Sequence, residues 1–289
     1  MPGIFNPFAG GTATHNRSEF RFGASQFSVP PGVTYECFGP WALPLETGSL
    51  HGFQPEVDLS IVHHMILYGG SSRNKCNGFD IVYAWARTGQ QTPIGLDFAT
   101  DPAAKANMGF NVGAHGIRYV SLQIHYQRPR GAPVLHGDQS GIRLTISPAL
   151  PRTPLHVQLN MLIPQIPPRT IVDLCTRCSV RMGGTVFAFR NHAHRLGRDI
   201  WSDHWRRGAV LPPLGLIDSQ QPQIVRMLKE PRRLEAGDVL QLHCVYNSTL
   251  RTTPTGFDID EEKGEMCNQY LFATPSLLVS CGKGCDKRS

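Results

Sequence analysis

The segment VFAFRNHAHRLG, residues 186–197, runs through an apolar stretch into Arg190 and then into His192 and His194, one residue apart. An extended strand projects residues i and i+2 from one face, so these two imidazoles can hold one metal ion. Two further histidines, His63 and His64, lie inside the apolar run VHHMILY, and His125 lies in LQIHY. Neighbours on a regular strand point to opposite faces. For both to reach one ion the strand must end, twist or bulge, which is common beside active sites. A third ligand must then come from another strand, and His125 is the obvious donor. Imidazole suits zinc, copper, iron and nickel alike, whereas a thioether ligand selects Cu(I). Met266, in GEMCNQY between Glu265 and Cys267, is the candidate, although a methionine before a strand otherwise packs in a core. The remaining histidines (His15, His51, His115, His136, His156, His204 and His243) have no obvious partner in sequence and read as structural or surface residues.

The elements that must carry these side chains are strands. Short alternating or apolar runs at 57–68, 117–126, 141–147, 155–163, 184–190, 237–247 and 267–273 are separated by turn signals, and no strong 3.6-residue period interrupts them. With 29 Gly and 23 Pro in 289 residues, this density of strands predicts an all-β sandwich or barrel. The polar, Gly-rich residues 1–25 read as a disordered lead, and PALPRTP at 148–154 as a hinge between two halves. The net charge is +6, but the basic residues are scattered and lack interleaved aromatics, which argues against nucleic acid. A solvated basic surface or attraction to an anionic substrate fits as well. Eight cysteines, an even number, point to a secreted, disulfide-bonded protein. Two glycosylation sequons, at Asn16 and Asn247, agree with that compartment. No basic region followed by an apolar run opens the chain, so either the true start lies upstream or the cysteines are reduced in the cytosol; the first is favoured. No window approaches about 18 continuous apolar residues, so no membrane span is expected.

Five segments in collinear order resemble the hydroxylating domain of peptidylglycine α-amidating enzymes, the copper- and ascorbate-dependent monooxygenases. They are VHHMILYG (62–69), IVYAWAR (81–87), YVSLQIHY (119–126), VFAFRNHAHRLG (186–197) and GEMCNQYLF (264–272), within a similarity running over residues 27–281. The resemblance implies two antiparallel, jelly-roll-like β-sandwiches, at 26–147 and 148–282, facing each other across a copper cleft, with a tail at 283–289. It assigns His63, His64 and His125 to an electron-supplying copper, and His192, His194 and Met266 to an oxygen-activating copper. It also implies that Arg190, Asn268 and Tyr270 hold the terminal carboxylate of a peptide, and that Gln123 and Tyr35 lie near the coppers. A guanidinium can fork onto a carboxylate with two charge-assisted hydrogen bonds, and Asn268 and Tyr270 share the strand face that Met266 uses. The sister enzymes that hydroxylate monoamines have no carboxylate to clamp, so the implied substrate is a peptide ending in glycine. Ascorbate supplies electrons, O₂ is co-substrate, and the glycine α-carbon gains a hydroxyl.

By the same resemblance, Cys37 pairs with Cys76 and Cys244 with Cys267. Gly70 stands where the family usually has a bridging cysteine, so the N-terminal half is less cross-linked than usual. Cys175, Cys178, Cys281 and Cys285 offer two disulfides of undecided pairing or, alternatively, a zinc site of four thiolates; an oxidising compartment favours disulfides. Eight residues follow residue 281, so a separate lyase or a longer parent chain is expected to finish amidation. The compartment implied is the exterior or the secretory-granule lumen. The competing readings are a monoamine or orphan copper hydroxylase and a non-catalytic, secreted metal-binding sandwich.

Overall fold

Proline, glycine and polar turns punctuate short runs of alternating character, and in the computed structural model these runs are strands. Residues 17–76, 81–87, 96–98 and 108–285 are described, and among them there is no helix, as the all-β reading requires. The chain divides into two compact units, Met1–Pro154 and Leu155–Ser289.

The first unit holds β1 (Ser18–Gly23), β2 (Phe27–Val29), β3 (Gly32–Ala42), β4 (Thr47–Glu56), β5 (Val62–Gly70) and β6 (Ile81–Ala86). It continues with β7 (Leu96–Asp97), β8 (Met108–Gly113), β9 (Tyr119–Arg128), β10 (Leu135–Asp138), β11 (Gly141–Ser147) and β12 (Thr153–Pro154). One sheet runs β1-β11-β4-β8-β12 with β7 on β4, a second runs β3-β9-β5-β6, and β10 pairs β2. Alternate residues in the middle of β5 and β9 (Met65 and Leu67, Leu122 and Ile124) are fully buried. Phe53 of the first sheet stacks on Tyr83 of the second at 5.0 Å, so the core lies between the two.

The second unit holds β13 (His156–Leu162), β14 (Ile171–Met182), β15 (Gly184–His192), β16 (Gly197–Arg206) and β17 (Ala209–Asp218). After these come β18 (Arg226–Leu234), β19 (Val239–Asn247), β20 (Cys267–Thr274) and β21 (Leu278–Gly284). A four-stranded sheet, β13-β20-β15-β18, joins a five-stranded one, β17-β16-β19-β14-β21, in one apolar core. Leu240, Leu242, Cys244 and Tyr246 of β19 share that core with Cys267, Leu271 and Ala273 of β20. The Cys244–Cys267 disulfide ties the two sheets together.

Three boundaries differ from expectation. Residues 18–23, read as part of a disordered lead, form β1 in register with β11; Phe20 and Phe22 supply the apolar alternation that the surrounding polar residues mask. Residues 1–16, including His15 and Asn16, lie outside the described residues. The units part at 154/155 rather than 147/148, because Thr153 and Pro154 pair in parallel with Met108 and Gly109. The expected tail at 283–289 is strand as far as Gly284, and Cys285 is disulfide-bonded.

Candidate metal centres and substrate site

In the first unit the puzzle of adjacent histidines resolves as a bulge. Val62 pairs with Tyr126 and His64 with His125, a register shift that leaves His63 as the extra residue. Val62 and Met65 are buried in the core, and the two half-buried residues between them, His63 and His64, reach the same neighbours on the other face. His64 Nδ1 lies 3.1 Å from His125 Nδ1 and 3.5 Å from His63 Nδ1. An imidazole nitrogen offers a single in-plane site, a proton or a lone pair, so His64 Nδ1 serves only one of these contacts well. One ion at the common point would take a lone pair from each of the three rings, so this donor set fits a metal of the copper or zinc kind. Tyr35, directly across from His125 on β3, stacks on its ring at 4.2 Å and 10°. Gln123 lies two residues along β9 from His125, half-buried and opposite Cys37.

In the second unit six residues form a ladder. Arg190 stands opposite Tyr270 and His192 opposite Asn268 on β15 and β20; just past these strands, His194 is tied to the segment that leads into Met266 through the Gly264 carbonyl and the Glu265 carboxylate. All six alternate with core residues (Phe189 and Ala193, Cys267 and Leu271), so they share the other face of the sheet. The rings of His192 and His194 lie 5.2 Å apart. Gly197, which ends the motif, is required by packing: a Cβ there would meet the Cβ of Ala193 at 2.5 Å.

Both imidazoles are oriented from outside the ladder. His194 Nδ1–H donates to the carbonyl of Gly264 at 2.8 Å, and His192 Nδ1–H donates to Gln223 Oε1. The amide of Gln223 is itself fixed, since its Nε2 donates to the carbonyls of Ala193 at 2.8 Å and Ser219 at 2.9 Å. Each ring therefore keeps Nε2 as a lone pair, the tautomer a metal needs. Burial, with Arg190 and then His194 beside it, holds the His192 pKa well below the usual histidine range, so the ring is neutral. Two such nitrogens suit copper or zinc, and a thioether joining them would select Cu(I).

Glu265 joins the two ligand segments. Its buried carboxylate accepts from the amides of Leu196 at 2.6 Å, His194 at 2.8 Å and Met266 at 3.3 Å. Burial pushes its pKa up to about 7 against the pull of those amides. The Met266 carbonyl accepts from the Tyr246 hydroxyl at 2.8 Å, and Cys267 anchors the next residue through its disulfide.

Beside the imidazoles, Arg190, Asn268 and Tyr270 are buried, at 4%, 2% and 6% exposure. Arg190 Nε donates to the Gln223 carbonyl at 2.9 Å, and its guanidinium lies 5.4 Å from the Tyr270 ring centre. Asn268 Nδ2 is 3.4 Å from the Tyr270 hydroxyl and 4.0 Å from Met266 Sδ, while its buried Oδ1 has no hydrogen-bond partner among the described residues.

Residues 155–287 match the family profile of the copper type II ascorbate-dependent monooxygenase C-terminal domain. The chain is 29% identical over 270 residues to the mouse (Mus musculus) peptidyl-glycine alpha-amidating monooxygenase, an alignment covering 84% of this chain and 26% of that protein. It is 28% identical to MOXD1 homolog 1 of Drosophila melanogaster, covering 82% of this chain and 40% of the relative. Over 62% of its length it is 32% identical to rat (Rattus norvegicus) dopamine beta-hydroxylase, of which it covers 31%. These matches support the copper type II ascorbate-dependent monooxygenase family. The chain spans about a quarter of the length of the amidating relatives it matches. The major capsid protein P2 of bacteriophage PM2 is similar at a TM-score of 0.39 and 11% identity, covering 89% of this chain and 97% of that one; at that distance the likeness carries no argument.

Similarity to a copper- and ascorbate-dependent family makes copper the natural candidate for the donors of the second unit, which the family profile covers. Gln223 and Glu265 are the positioning residues that motif reading missed. Glu265 stands directly before a candidate ligand but at the end of the charged run DIDEEKGE, where one more carboxylate draws no notice; Gln223, 31 residues from His192 in a polar loop, left no signal either. All eight cysteines are paired: Cys37–Cys76, Cys244–Cys267, Cys178–Cys281 and Cys175–Cys285. That decides the pairing left open by sequence, and it places one bridge in the first unit and three in the second.

Proposed function

We propose that this chain hydroxylates the α-carbon of a C-terminal glycine in peptides. His63, His64 and His125 hold one copper, and His192, His194 and Met266 hold the other. Bound copper supplies the redox chemistry: two electrons from ascorbate reduce O₂, one oxygen atom entering the C–H bond and the other leaving as water.

The observation that carries this reading is the burial of Arg190, Asn268 and Tyr270 on the ligand face, in the ladder positions next to His192 and Met266. The Arg190 guanidinium, its Nε held by Gln223 and its plane beside Tyr270, binds the substrate carboxylate through paired, charge-assisted hydrogen bonds. The Tyr270 hydroxyl adds a donor to the same carboxylate, and Asn268 Oδ1 accepts from a peptide N–H of the substrate. These contacts fix the glycine along β20, one strand repeat of about 7 Å separating the clamp pair from the His192–Asn268 pair. Burial raises the Tyr270 pKa, so the phenol keeps its proton for donation. The four disulfides favour the exterior or the secretory-granule lumen, and the α-hydroxyglycine product passes to a separate lyase activity.

Similarity to dopamine beta-hydroxylase favours an amine as the second reading. The discriminating experiment offers a blocked peptide ending in glycine and a phenethylamine side by side, with copper, ascorbate and O₂, to the chain and to Arg190→Ala. Hydroxylated peptide alone is expected, with kcat/KM falling roughly 10- to 150-fold in the variant, the loss of one charged hydrogen-bonding group. Hydroxylated amine, or an Arg190→Ala variant that handles the peptide as the parent does, overturns the peptide reading.

A further inference from the structure

On the five-stranded sheet of the second unit, Cys175, His243 and Trp201 stand in one cross-strand row over β14, β19 and β16. Asp173 and Asp203, two residues along β14 and β16, share their face. The alternating residues (Cys178, Ile200, Leu242 and Cys244) fill the core, so this cluster lies on the side of the sheet turned away from it. None of its members belongs to the His192 ladder, which is on the other sheet.

His243 Nε2 is 3.6 Å from Cys175 Sγ and 3.6 Å from Asp203 Oδ2. The oxygen contact is too long for a good hydrogen bond. Both distances match the edge of a tetrahedral zinc site, which is about 3.3–3.6 Å for metal–ligand bonds of about 2.0–2.3 Å. Cys285 Sγ completes the group, since the Cys175, His243 and Cys285 donor atoms all lie within 4.8 Å of one another. The surrounding contacts are those that orient metal ligands. His243 Nδ1–H donates to Asp173 at 2.9 Å, leaving Nε2 as the donor; Trp201 Nε1–H holds the other oxygen of Asp203 at 3.0 Å; the Trp201 ring stacks on His243 at 4.6 Å and 3°.

We propose that Cys175, Cys285, His243 and Asp203 form a zinc-type site, closed by the Cys175–Cys285 disulfide and opened by its reduction. A dithiol gives two electrons and two protons to the disulfide and leaves as its own cyclic disulfide; the divalent cation then displaces the two thiol protons. Within this unit Cys175–Cys285 is the bridge that reduction reaches first. Both its cysteines are half-buried beside exposed Gly284, whereas Cys178, Cys244 and Cys267 are wholly buried. His243 is thus more than the structural residue its sequence context suggested. The zinc alternative read from four thiolates is replaced by one with two, because Cys178 pairs with Cys281 inside the sheet.

The test uses the full chain, oxidised or treated with a mild dithiol that is then removed, incubated with zinc and passed through gel filtration. One more zinc per chain is expected in the reduced form. Bound zinc should also shield Cys175 and Cys285 from alkylation, read by peptide mass spectrometry. The extra ion should vanish in Cys285→Ser and His243→Ala and bind about 10- to 100-fold more weakly in Asp173→Asn. Cobalt in the reduced parent protein should give thiolate-to-metal charge-transfer absorption, a readout that does not depend on the variants folding. Equal zinc in both redox states, alkylation unaffected by zinc, or extra zinc kept by folded His243→Ala overturns the proposal.

Discussion

In the first unit three imidazoles turn their Nδ1 atoms toward one another; in the second both imidazoles turn Nδ1 away, onto Gln223 and Gly264, and offer Nε2. The difference follows from how each strand delivers its histidines. A bulge at His63 puts two consecutive residues on one face, so the rings crowd together and brace each other, with Tyr35 stacked behind. His192 and His194 instead take successive same-face positions where β15 ends. There the rings need anchors from elsewhere, and a loop glutamine, a glycine carbonyl and the buried Glu265 provide them. The first site thus depends on local strand register, and the second on residues far away in sequence. The proposed donors differ too: three nitrogens against two nitrogens and a soft sulfur, a set that would favour reduced copper.

The comparison breaks or sharpens most visibly through the ligands. On the proposed two-copper reading, His64→Ala should remove one copper and His194→Ala the other, as metal analysis after dialysis would show, and each should abolish turnover. Loss of both ions in either variant would mean that the sites are not independent. Next in size, replacing Cys244 and Cys267 together by alanine should cost about 2–5 kcal/mol in denaturant unfolding of the second unit, because that bridge joins its two sheets behind Met266. The first unit's own transition should be unchanged. Gln223→Leu should weaken copper about 10- to 100-fold at the second site and leave the first untouched, measured by competition with a Cu(I) chelator. Equal weakening at both would refute the anchoring role of the loop.

The smallest effect is on pH. Asp238 is buried, which alone would raise its pKa, but the forked Arg206 guanidinium, the Glu235 amide and His204 together hold it well below the usual carboxylate range. A depressed carboxyl stabilises the fold above its unfolded pKa of about 4, and that contribution is lost as pH falls toward the folded value. His204, whose pKa burial lowers, adds to the trend: the unfolded chain takes up its proton first, from about pH 6.5 downward. The second unit should therefore lose stability steadily in acid, and Asp238→Asn should flatten the slope at its acid end in melts from pH 6 to pH 3. A slope unchanged by that substitution would remove Asp238 from the account.

Much of the molecule was legible in the chain itself. Period-two alternation announces β5, β9, β15 and β20, because strand geometry repeats every two residues whatever packs against them. The same period puts Arg190, His192 and His194 on one face of their strand, and Met266, Asn268 and Tyr270 on one face of theirs. The awkward pair His63-His64 required an irregular strand, and the register shift supplies it. Pairing was not legible. Register between strands far apart in sequence is a property of the assembled sheet, and only the sheet sets Arg190 against Tyr270, joins Cys178 to Cys281 rather than Cys285, and brings Thr153–Pro154 back to β8. Nor could motif spacing reveal Gln223, Glu265 or His243 in their present company. Each has at least one partner 31 or more positions away, and a buried polar group has its partner chosen by three-dimensional packing rather than by its neighbours in the chain.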